Sequence, residues 1–234
     1  SSLPPTVRVS IFGASGYSGL ELLRWLRGHP AQVVGASSSK WSERPIDDVI
    51  PGHPGAFAAH EAVESAVQPG DVAFLATPAQ TSLELAPRLL DRGASVIDLS
   101  GAFRLPADLY PDWYGFSHDR PDLLERAHYG LVDLVPAPRA DGTPTLVANP
   151  GCYATAAALA LAPLVRAGWT DGPIFADGKS GSTGAGKKPE ERLLFSELGE
   201  NLSHYKAGVH KHAPEIRGAL ARYAGTEARV LFAP

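Results

Sequence analysis

Short apolar runs alternate with helix-like stretches through the first 150 residues of the chain. Residues 7–12 are an apolar run, a glycine-rich turn follows, and leucines at 20, 22, 23 and 26 then recur with helical spacing. The same reasoning predicts strands at 32–36, 71–76, 94–99 and 145–148, with a helix at 81–92. Strands that alternate with helices predict a parallel α/β sheet.

The pattern changes after residue 149. An Ala/Leu-rich helix is predicted at 155–165, just after Pro150-Gly151-Cys152, and strands are predicted at 173–177 and 228–233. A Gly/Ser/Lys loop and a long polar stretch separate those two strands, and residues 108–141 are predicted to be an irregular excursion. We therefore expect an α/β domain at 1–149 and a second, smaller domain at 150–234.

Composition narrows the possible function classes. The 234 residues are 44% hydrophobic and 20% charged, which is ordinary for a globular protein. The net charge of −4 and the lack of a basic run exclude a nucleic-acid-binding surface. No stretch is long enough for a membrane span, and residues 1–5 lack the features of a signal peptide. A single cysteine excludes an internal disulfide, so we expect a reducing, cytoplasmic location.

The glycine-rich turn predicts a dinucleotide site. Gly13-Ala-Ser-Gly16-Tyr-Ser-Gly19 lies between a predicted strand and a predicted helix, where backbone N–H groups and the helix dipole favour a phosphate. An NAD site usually adds an acid about 20 residues further on, but here the chain has Ser37-Ser38-Ser39-Lys40. Hydroxyls and a cation suit a 2′-phosphate, which favours NADP(H). A tight structural turn and a solvated loop are the alternatives.

The single cysteine is the candidate nucleophile. Cys152 lies in Asn149-Pro-Gly-Cys-Tyr-Ala-Thr155, where a predicted strand ends and a helix begins. A helix N-terminus stabilises a thiolate, which is the reactive form of a cysteine. The alternative is a small buried hydrophobic residue.

Two histidines are candidate partners for that cysteine. They are His210 and His212 in Gly208-Val-His-Lys-His-Ala-Pro-Glu-Ile216. A metal site completed by His204 or Glu215 is an alternative, and simple surface histidines are another.

Two further loops carry candidate anion-binding residues. Asp98-Leu-Ser-Gly-Ala-Phe-Arg104 follows a predicted strand, and the planar fork of Arg104 could hold a phosphate or form a surface ion pair. Lys179-Ser-Gly-Ser-Thr-Gly-Ala-Gly186 has the composition of a phosphate loop but lacks the residue order of an ATPase loop.

Taken together, these motifs resemble the N-acetyl-γ-glutamyl-phosphate reductase family of arginine biosynthesis, and they span nearly the whole chain in the family's order. The resemblance implies a Rossmann NADP-binding domain plus an α+β substrate and dimerisation domain, in homo-oligomers such as dimers or tetramers. The chain departs from the family at 129–133, with Val-Asp in place of Pro-Glu, and it ends earlier than family members do, so the second domain is expected to be C-terminally incomplete.

The resemblance also implies roles for individual residues. Cys152 would be the nucleophile and His210 the acid/base, acting on a small-molecule acyl phosphate. NADP(H) would contact Gly13, Ala14, Ser15, Gly16, Tyr17, Ser18, Ser38, Ser39, Lys40, Thr77, Pro78, Ser180 and Gly181. Substrate would contact Arg104, Asn149, Lys179 and His212. No metal is expected.

Three other functions remain open from the sequence. The nearest is reduction of a related acyl phosphate, of the aminoadipate or aspartyl type. A cysteine hydrolase or acyltransferase would use Cys152 without NADP(H). A non-catalytic NADP-sensing protein would bind the cofactor with an unreactive cysteine.

Overall fold

The computed structural model describes residues 6–134, 138 and 141–234. The N-terminal segment 1–5, predicted not to be a signal peptide, lies outside the described residues, as does part of the predicted excursion at 108–141. The chain divides into two compact units. The first comprises the described residues of Ser1–Phe103, Asp122–Gly130 and Pro138–Asn149, and the second those of Arg104–Pro121, Leu131–Ala137 and Pro150–Pro234.

The first unit is built on a parallel sheet. Its strands lie side by side in the order β2-β1-β3-β4-β6-β5, and every adjacent pair is parallel. The strands are β1 (Arg8–Phe12), β2 (Gln32–Ala36), β3 (Val72–Leu75), β4 (Ser95–Asp98), β5 (His128–Tyr129) and β6 (Leu146–Ala148). The order reverses at β1, whose neighbours are β2 and β3, and in such sheets ligands bind beyond the carboxyl ends of the strands at that point. The predicted α/β fold class is confirmed.

Helices cover this sheet because their leucines are spaced to bury one stripe. The helices of this unit are α1 (Tyr17–Leu26), α2 (His60–Ser65), α3 (Ala79–Asp91) and, apart from its first residue, α5 (Pro121–Arg126). Leu20 and Leu23 of α1 pack with Ile11 in one core cluster, while Leu85 and Leu89 of α3 pack in a second. The two clusters hold α1 and α3 against the sheet, in which β1 carries the glycine-rich turn at its end.

The second unit packs two helices with a two-stranded parallel sheet. Its elements are α4 (Tyr110–Tyr114), α6 (Cys152–Arg166), β7 (Ile174–Asp177), α7 (Phe195–Leu198), α8 (His212–Ala224) and β8 (Val230–Ala233). Helix α6 turns a stripe of small residues inward at 154, 158 and 162, so that α8 can approach it closely. Ile216 and Leu220 of α8 complete that core with Phe232 of β8.

Two parts of the sequence prediction were wrong in detail. The polar stretch expected between the last two strands contains α8, a helix of 13 residues. The excursion at 108–141 contains the short helices α4 and α5, and it also supplies β5, which extends the sheet. None of the helices among the described residues is long and apolar enough to cross a membrane.

Candidate active site

The glycine-rich turn joins β1 to α1, and its three glycines have different surroundings. Gly13 has φ +76°, and a Cβ there would collide with the carbonyl oxygen of Ala76 at the end of β3. Gly19 lies so close to the backbone of Ala14 that a Cβ would sit 2.6 Å from the Ala14 Cα. Gly16, at the N-cap of α1, would place a Cβ no nearer than 3.4 Å to other atoms. A dinucleotide-binding turn needs one glycine for a tight turn, one that lets the pyrophosphate approach the backbone, and one for close helix packing. Gly13, Gly16 and Gly19 fit these three requirements in that order.

Hydroxyl groups tie this turn to the loop after β2. Ser37 Oγ accepts a hydrogen bond from the Gly13 N–H (3.3 Å) and is paired with His60 Nδ1 at 2.7 Å. Ser38 donates to Ser15 Oγ at 2.7 Å. Ser38 Oγ also accepts from the backbone N–H groups of residues 40 and 41, at 3.2 and 3.0 Å. The positions of the turn and the loop are therefore fixed together.

The four polar residues of this loop differ in their exposure to solvent. Ser37 and Ser38 are buried, and their hydroxyls are engaged within the loop. Ser39 and Lys40 are exposed. Beside the loop, the open N-cap at Gly16 begins a helix that has no acidic residue in its first turn. These features fit a bound dinucleotide, because its pyrophosphate needs an unobstructed helix N-terminus and a 2′-phosphate needs an accessible cation.

The remaining residues predicted to contact the cofactor lie on both units. Thr77 and Pro78 link β3 to α3, where Pro78 is the N-cap and Thr77 Oγ1 lies 2.8 Å from Ser82 Oγ. Ser180 and Gly181 are exposed residues of the second unit, beyond β7.

Cys152 is the first residue of α6, with Gly151 as the N-cap. The helix thus begins three residues earlier than the sequence predicted, which places the thiol in the first turn, where the helix dipole stabilises an anion. The cysteine is exposed, so it is not the small buried residue that was the alternative. Its thiol makes no hydrogen bond to a described residue, while a thiolate there attracts Lys211.

Gly151 lies in a confined polar pocket within the second unit. A Cβ at this residue would collide with His212 Nε2 and would lie 2.9 Å from Arg104 Nη1. The Gly151 N–H donates to Glu215 Oε1 at 2.8 Å, and Glu215 Oε2 lies 3.7 Å from Arg104 Nη1. The hydroxyl oxygen of the buried Tyr110 accepts hydrogen bonds from the backbone N–H groups of Arg104 and Leu105, at 3.0 and 3.4 Å. An arginine, a histidine and a carboxylate therefore converge beside the residue that precedes the thiol.

The two candidate histidines are neighbours with different hydrogen bonding. Their ring centroids lie 4.7 Å apart. His210 Nδ1 accepts a hydrogen bond from the backbone N–H of His212 at 3.1 Å. Because a backbone N–H can only donate, neutral His210 carries its proton on Nε2. The Nδ1 of His212 is buried without a hydrogen-bond partner among the described residues.

Burial and nearby cations keep both imidazoles neutral. Burial, with repulsion from Lys211 and Lys206, lowers the pKa of His210 to about 4. Burial, with repulsion from His210 and Arg104, lowers the pKa of His212 to about 3. At neutral pH both rings are therefore uncharged, and His210 presents a neutral N–H donor.

A chain of hydroxyl groups lies beside these rings. Tyr205 donates to Tyr153 Oη at 3.3 Å, and Tyr153 donates to Ser180 Oγ at 2.8 Å. The Tyr153 ring contacts both histidine rings edge-on, at centroid distances of 5.8 and 5.9 Å. Burial, together with the hydrogen bond to Tyr153, raises the pKa of Tyr205.

The structure brings together only some of the residues predicted from the sequence. Arg104 and His212 lie beside Gly151, which precedes Cys152, and His210 contacts His212. Lys179 is exposed and pairs with Asp177. Asn149 belongs to the first unit, where its backbone N–H donates to the carbonyl of Asp98. Within the described residues, no group of three His, Cys, Asp or Glu side chains is arranged to hold a metal ion.

Sequence reasoning assigned no function to several residues of these clusters. Glu215 was considered only as a metal ligand, although an acid in the first turn after two histidines was a visible signal. His60 stands alone in the sequence, and only the fold brings it to Ser37. Tyr153 and Tyr205 meet across 52 residues, which no local pattern indicates.

Comparison with known families divides the chain into two matching regions. Residues 8–140 match a family described as "Semialdehyde dehydrogenase, NAD binding domain". Residues 152–234 match "Semialdehyde dehydrogenase, dimerisation domain". Residues 8–140 thus form a nucleotide-binding domain of the semialdehyde dehydrogenase type.

Curated relatives are similar over almost the whole chain. N-acetyl-gamma-glutamyl-phosphate reductases from Aquifex aeolicus, Halorhodospira halophila and Thermus thermophilus are 38%, 43% and 46% identical to it. The matches cover 98%, 97% and 95% of this chain, but only 68%, 67% and 64% of those relatives. This chain therefore spans about two thirds of their length, and the resemblance inferred from its motifs is confirmed.

Solved structures show the same fold at low sequence identity. Aspartate semialdehyde dehydrogenase II of Vibrio cholerae, complexed with ASA, has a TM-score of 0.67 at 15% identity, and the match covers 98% of this chain and 70% of that one. The Candida albicans enzyme with NADP has a TM-score of 0.62 at 14% identity, covering 97% and 67%. The shared architecture thus extends over nearly all of this chain and about two thirds of those structures.

Proposed function

This chain belongs to the N-acetyl-γ-glutamyl-phosphate reductase family, and on that premise we propose that it reduces N-acetyl-γ-glutamyl phosphate to the semialdehyde, with release of phosphate. The observation that carries the proposal is an exposed thiol at a helix N-terminus, next to a pocket lined by Arg104, His212 and Glu215. An acyl phosphate needs both a nucleophile for its carbonyl carbon and a cation for its phosphate.

In this mechanism Cys152 performs the covalent step. Its thiolate, favoured by the α6 N-terminus and attracted by Lys211, attacks the acyl carbon and expels phosphate to leave a thioester. The planar fork of Arg104 binds the departing phosphate. His210 donates a hydrogen bond from Nε2 to the oxygen that gains negative charge. NADPH, when bound, supplies the hydride that converts the thioester to the aldehyde.

We further propose NADP(H) as the physiological cofactor. Gly13 to Ser18 bind the pyrophosphate, and the accessible Ser39 and Lys40 contact the 2′-phosphate. The buried Ser38 acts indirectly, because its hydroxyl holds the loop in place. NADPH should bind at least about tenfold more tightly than NADH, a difference of about 1.4 kcal/mol. Fluorescence titration measures both affinities, and equal dissociation constants would contradict the assignment.

The reaction is best tested in reverse. A panel of semialdehydes is supplied with NADP and phosphate, and phosphate-dependent NADPH formation is followed by absorbance. We expect N-acetylglutamate semialdehyde to be the best substrate, with aspartate- and aminoadipate-type semialdehydes as comparisons. A better rate with either comparison would reassign the substrate. No phosphate-dependent reduction with any aldehyde, despite NADP binding, would favour a non-catalytic sensor.

Cys152→Ser separates the covalent step from cofactor binding. A serine hydroxyl has no accessible anion near neutral pH, so turnover should be lost while NADP affinity is retained. Substantial residual turnover would show that the cysteine is not the nucleophile. A cysteine hydrolase would instead show thiol-dependent activity without any NADP affinity.

We also propose that the protein forms homo-oligomers. Residues 152–234 match a dimerisation domain, and the second unit exposes the aromatic side chains of Trp169, Phe175 and Phe195. Sedimentation velocity on the chain should show a species larger than 24.6 kDa.

A further inference from the structure

Glu215 is a buried carboxylate without a role in the mechanism above. It lies in the first turn of α8, and its side chain has no exposed surface. Carboxylates are rarely buried unless they are paired, because losing their hydration is costly. Its surroundings therefore indicate what holds it there.

The contacts of this carboxylate include one on each of its two oxygens. Oε1 accepts the Gly151 N–H at 2.8 Å, in a bond that is buried from solvent. Oε2 lies 3.7 Å from Arg104 Nη1, and the Arg104 side chain is only 6% exposed. At this separation the contact between Oε2 and Nη1 is longer than a hydrogen bond and is electrostatic.

The contact between Glu215 and the Gly151 N–H is relevant to catalysis because of where Gly151 lies. It is the N-cap of α6, and the peptide that follows it carries Cys152. The carboxylate thus fixes the residue before the nucleophile, and the same group partly balances the charge of the arginine in the pocket. In a buried site such a balance affects how strongly an anion is attracted.

We propose that Glu215 is a positioning residue, which holds Gly151 and the Arg104 guanidinium in fixed relation so that thiol and cation meet one acyl phosphate. The inference rests on the proposed function for its role in turnover. The contacts themselves stand independently of that function. Glu215 acts through Gly151 and Arg104, and the acyl group is handled by Cys152.

Glu215→Gln tests this without changing side-chain size. The amide can still accept the Gly151 N–H, but the negative charge that Glu215 places 3.7 Å from Arg104 Nη1 is removed. We expect kcat for semialdehyde oxidation to fall at least about tenfold, since small misplacements of reacting groups are costly. Glu227→Gln is the matched control, because Glu227 is exposed and this substitution removes the same charge from the same unit. It should behave as wild type.

Alkylation of Cys152 gives a second readout that does not depend on the reaction. The ratio of rates with anionic iodoacetate and neutral iodoacetamide reports the electrostatic field at the thiol. Removing the carboxylate should raise this ratio at least about threefold in Glu215→Gln and leave it unchanged in Glu227→Gln. A merely structural role would lower stability and would not change this selectivity.

The outcomes separate the two proposals. An unchanged alkylation ratio, or an unchanged kcat, in folded Glu215→Gln overturns the positioning role. If the wild-type protein shows no turnover, the proposed function is refuted. A raised iodoacetate-to-iodoacetamide rate ratio in Glu215→Gln would still support the electrostatic role of Glu215. If Glu215→Gln does not fold, Glu215→Asp keeps the charge on a shorter side chain. It should then show the wild-type ratio with kcat reduced at least about tenfold, and a wild-type kcat would refute positioning.

Discussion

One backbone hydrogen bond sets the tautomer of His210. The N–H of His212 occupies its Nδ1, so the only ring nitrogen left to act on a ligand is the protonated Nε2. The sequence placed His210 as the acid/base on the strength of its motif alone. In the mechanism that we propose, a neutral ring held in this tautomer donates a hydrogen bond from Nε2 rather than accepting a proton there.

His210→Asn should lower turnover about 100-fold or more, the usual scale for loss of one hydrogen-bond donor to a developing oxyanion. The asparagine can still accept the His212 N–H but cannot reach the Nε2 position. His210→Gln, whose amide nitrogen lies near that position, should lose less. Steady-state kinetics on both variants decides this, with His212→Asn expected to alter chiefly substrate affinity. A larger turnover defect in His212→Asn would reverse the two roles.

Imidazole ¹⁵N NMR checks the tautomer directly. At neutral pH the His210 spectrum should show Nε2 protonated and Nδ1 unprotonated. A predominantly Nδ1–H ring would contradict the assignment of Nε2 as the donor.

The limits of sequence reasoning are clearest for single residues. Cys152 and the two histidines could be found because a strand end, a helix start and a paired motif surround them. Ser38 stays a predicted cofactor contact, and the structure adds that its hydroxyl bonds to Ser15 and accepts two backbone N–H groups, which the sequence did not indicate. Which side chains of a polar loop turn inward depends on contacts with distant segments, and a local pattern does not contain them.

At the scale of elements, helices α6 and α8 create the pocket because their N-terminal turns meet at Gly151. Helix α8 was missed because its exposed face is polar, although the buried residues at 216, 219 and 220 follow helical spacing and Gly225 ends it. The strands of the first unit were easier to find, since buried parallel strands are nearly continuous apolar runs.

Gly151→Ala tests the contact between these two helix starts. The new methyl group would collide with His212 Nε2 and approach Arg104 Nη1, so α6 and α8 must separate locally. We expect turnover to fall by at least about tenfold, because the groups beside the thiol are displaced. Gly218→Ala is the control in α8, where a Cβ meets nothing within 4 Å. It should stabilise the protein by up to about 1 kcal/mol, as measured by urea unfolding. Equal turnover in the two variants would show that the pocket tolerates a side chain at residue 151.

On the scale of the whole molecule, the sequence predicted a nucleotide-binding region followed by a second region, and both match semialdehyde dehydrogenase domains. The two compact units do not follow a single cut in the chain, because Arg104–Pro121 belongs with the C-terminal residues. The amino-acid sequence gives no direct sign that this segment belongs to the second unit. This assignment of Arg104 to the unit that contains Cys152 is what the proposed function requires.

The buried histidines make the stability of the whole protein depend on pH. Folding lowers the pKa of His212 from the usual 6.5 to about 3, chiefly because the ring is buried. The unfolded chain therefore binds the extra proton first as the pH falls, and the stability that the neutral ring provides is complete above about pH 6.5 and is lost progressively towards pH 3. For this one residue the loss of unfolding free energy at pH 5 is about 2 kcal/mol.

Urea unfolding from pH 7 to pH 5 should show this decline in the wild type and a shallower one in His212→Asn. His29→Asn, which removes an exposed histidine, should follow the wild type, and a His212→Asn protein with the full wild-type decline would place the acid sensitivity elsewhere.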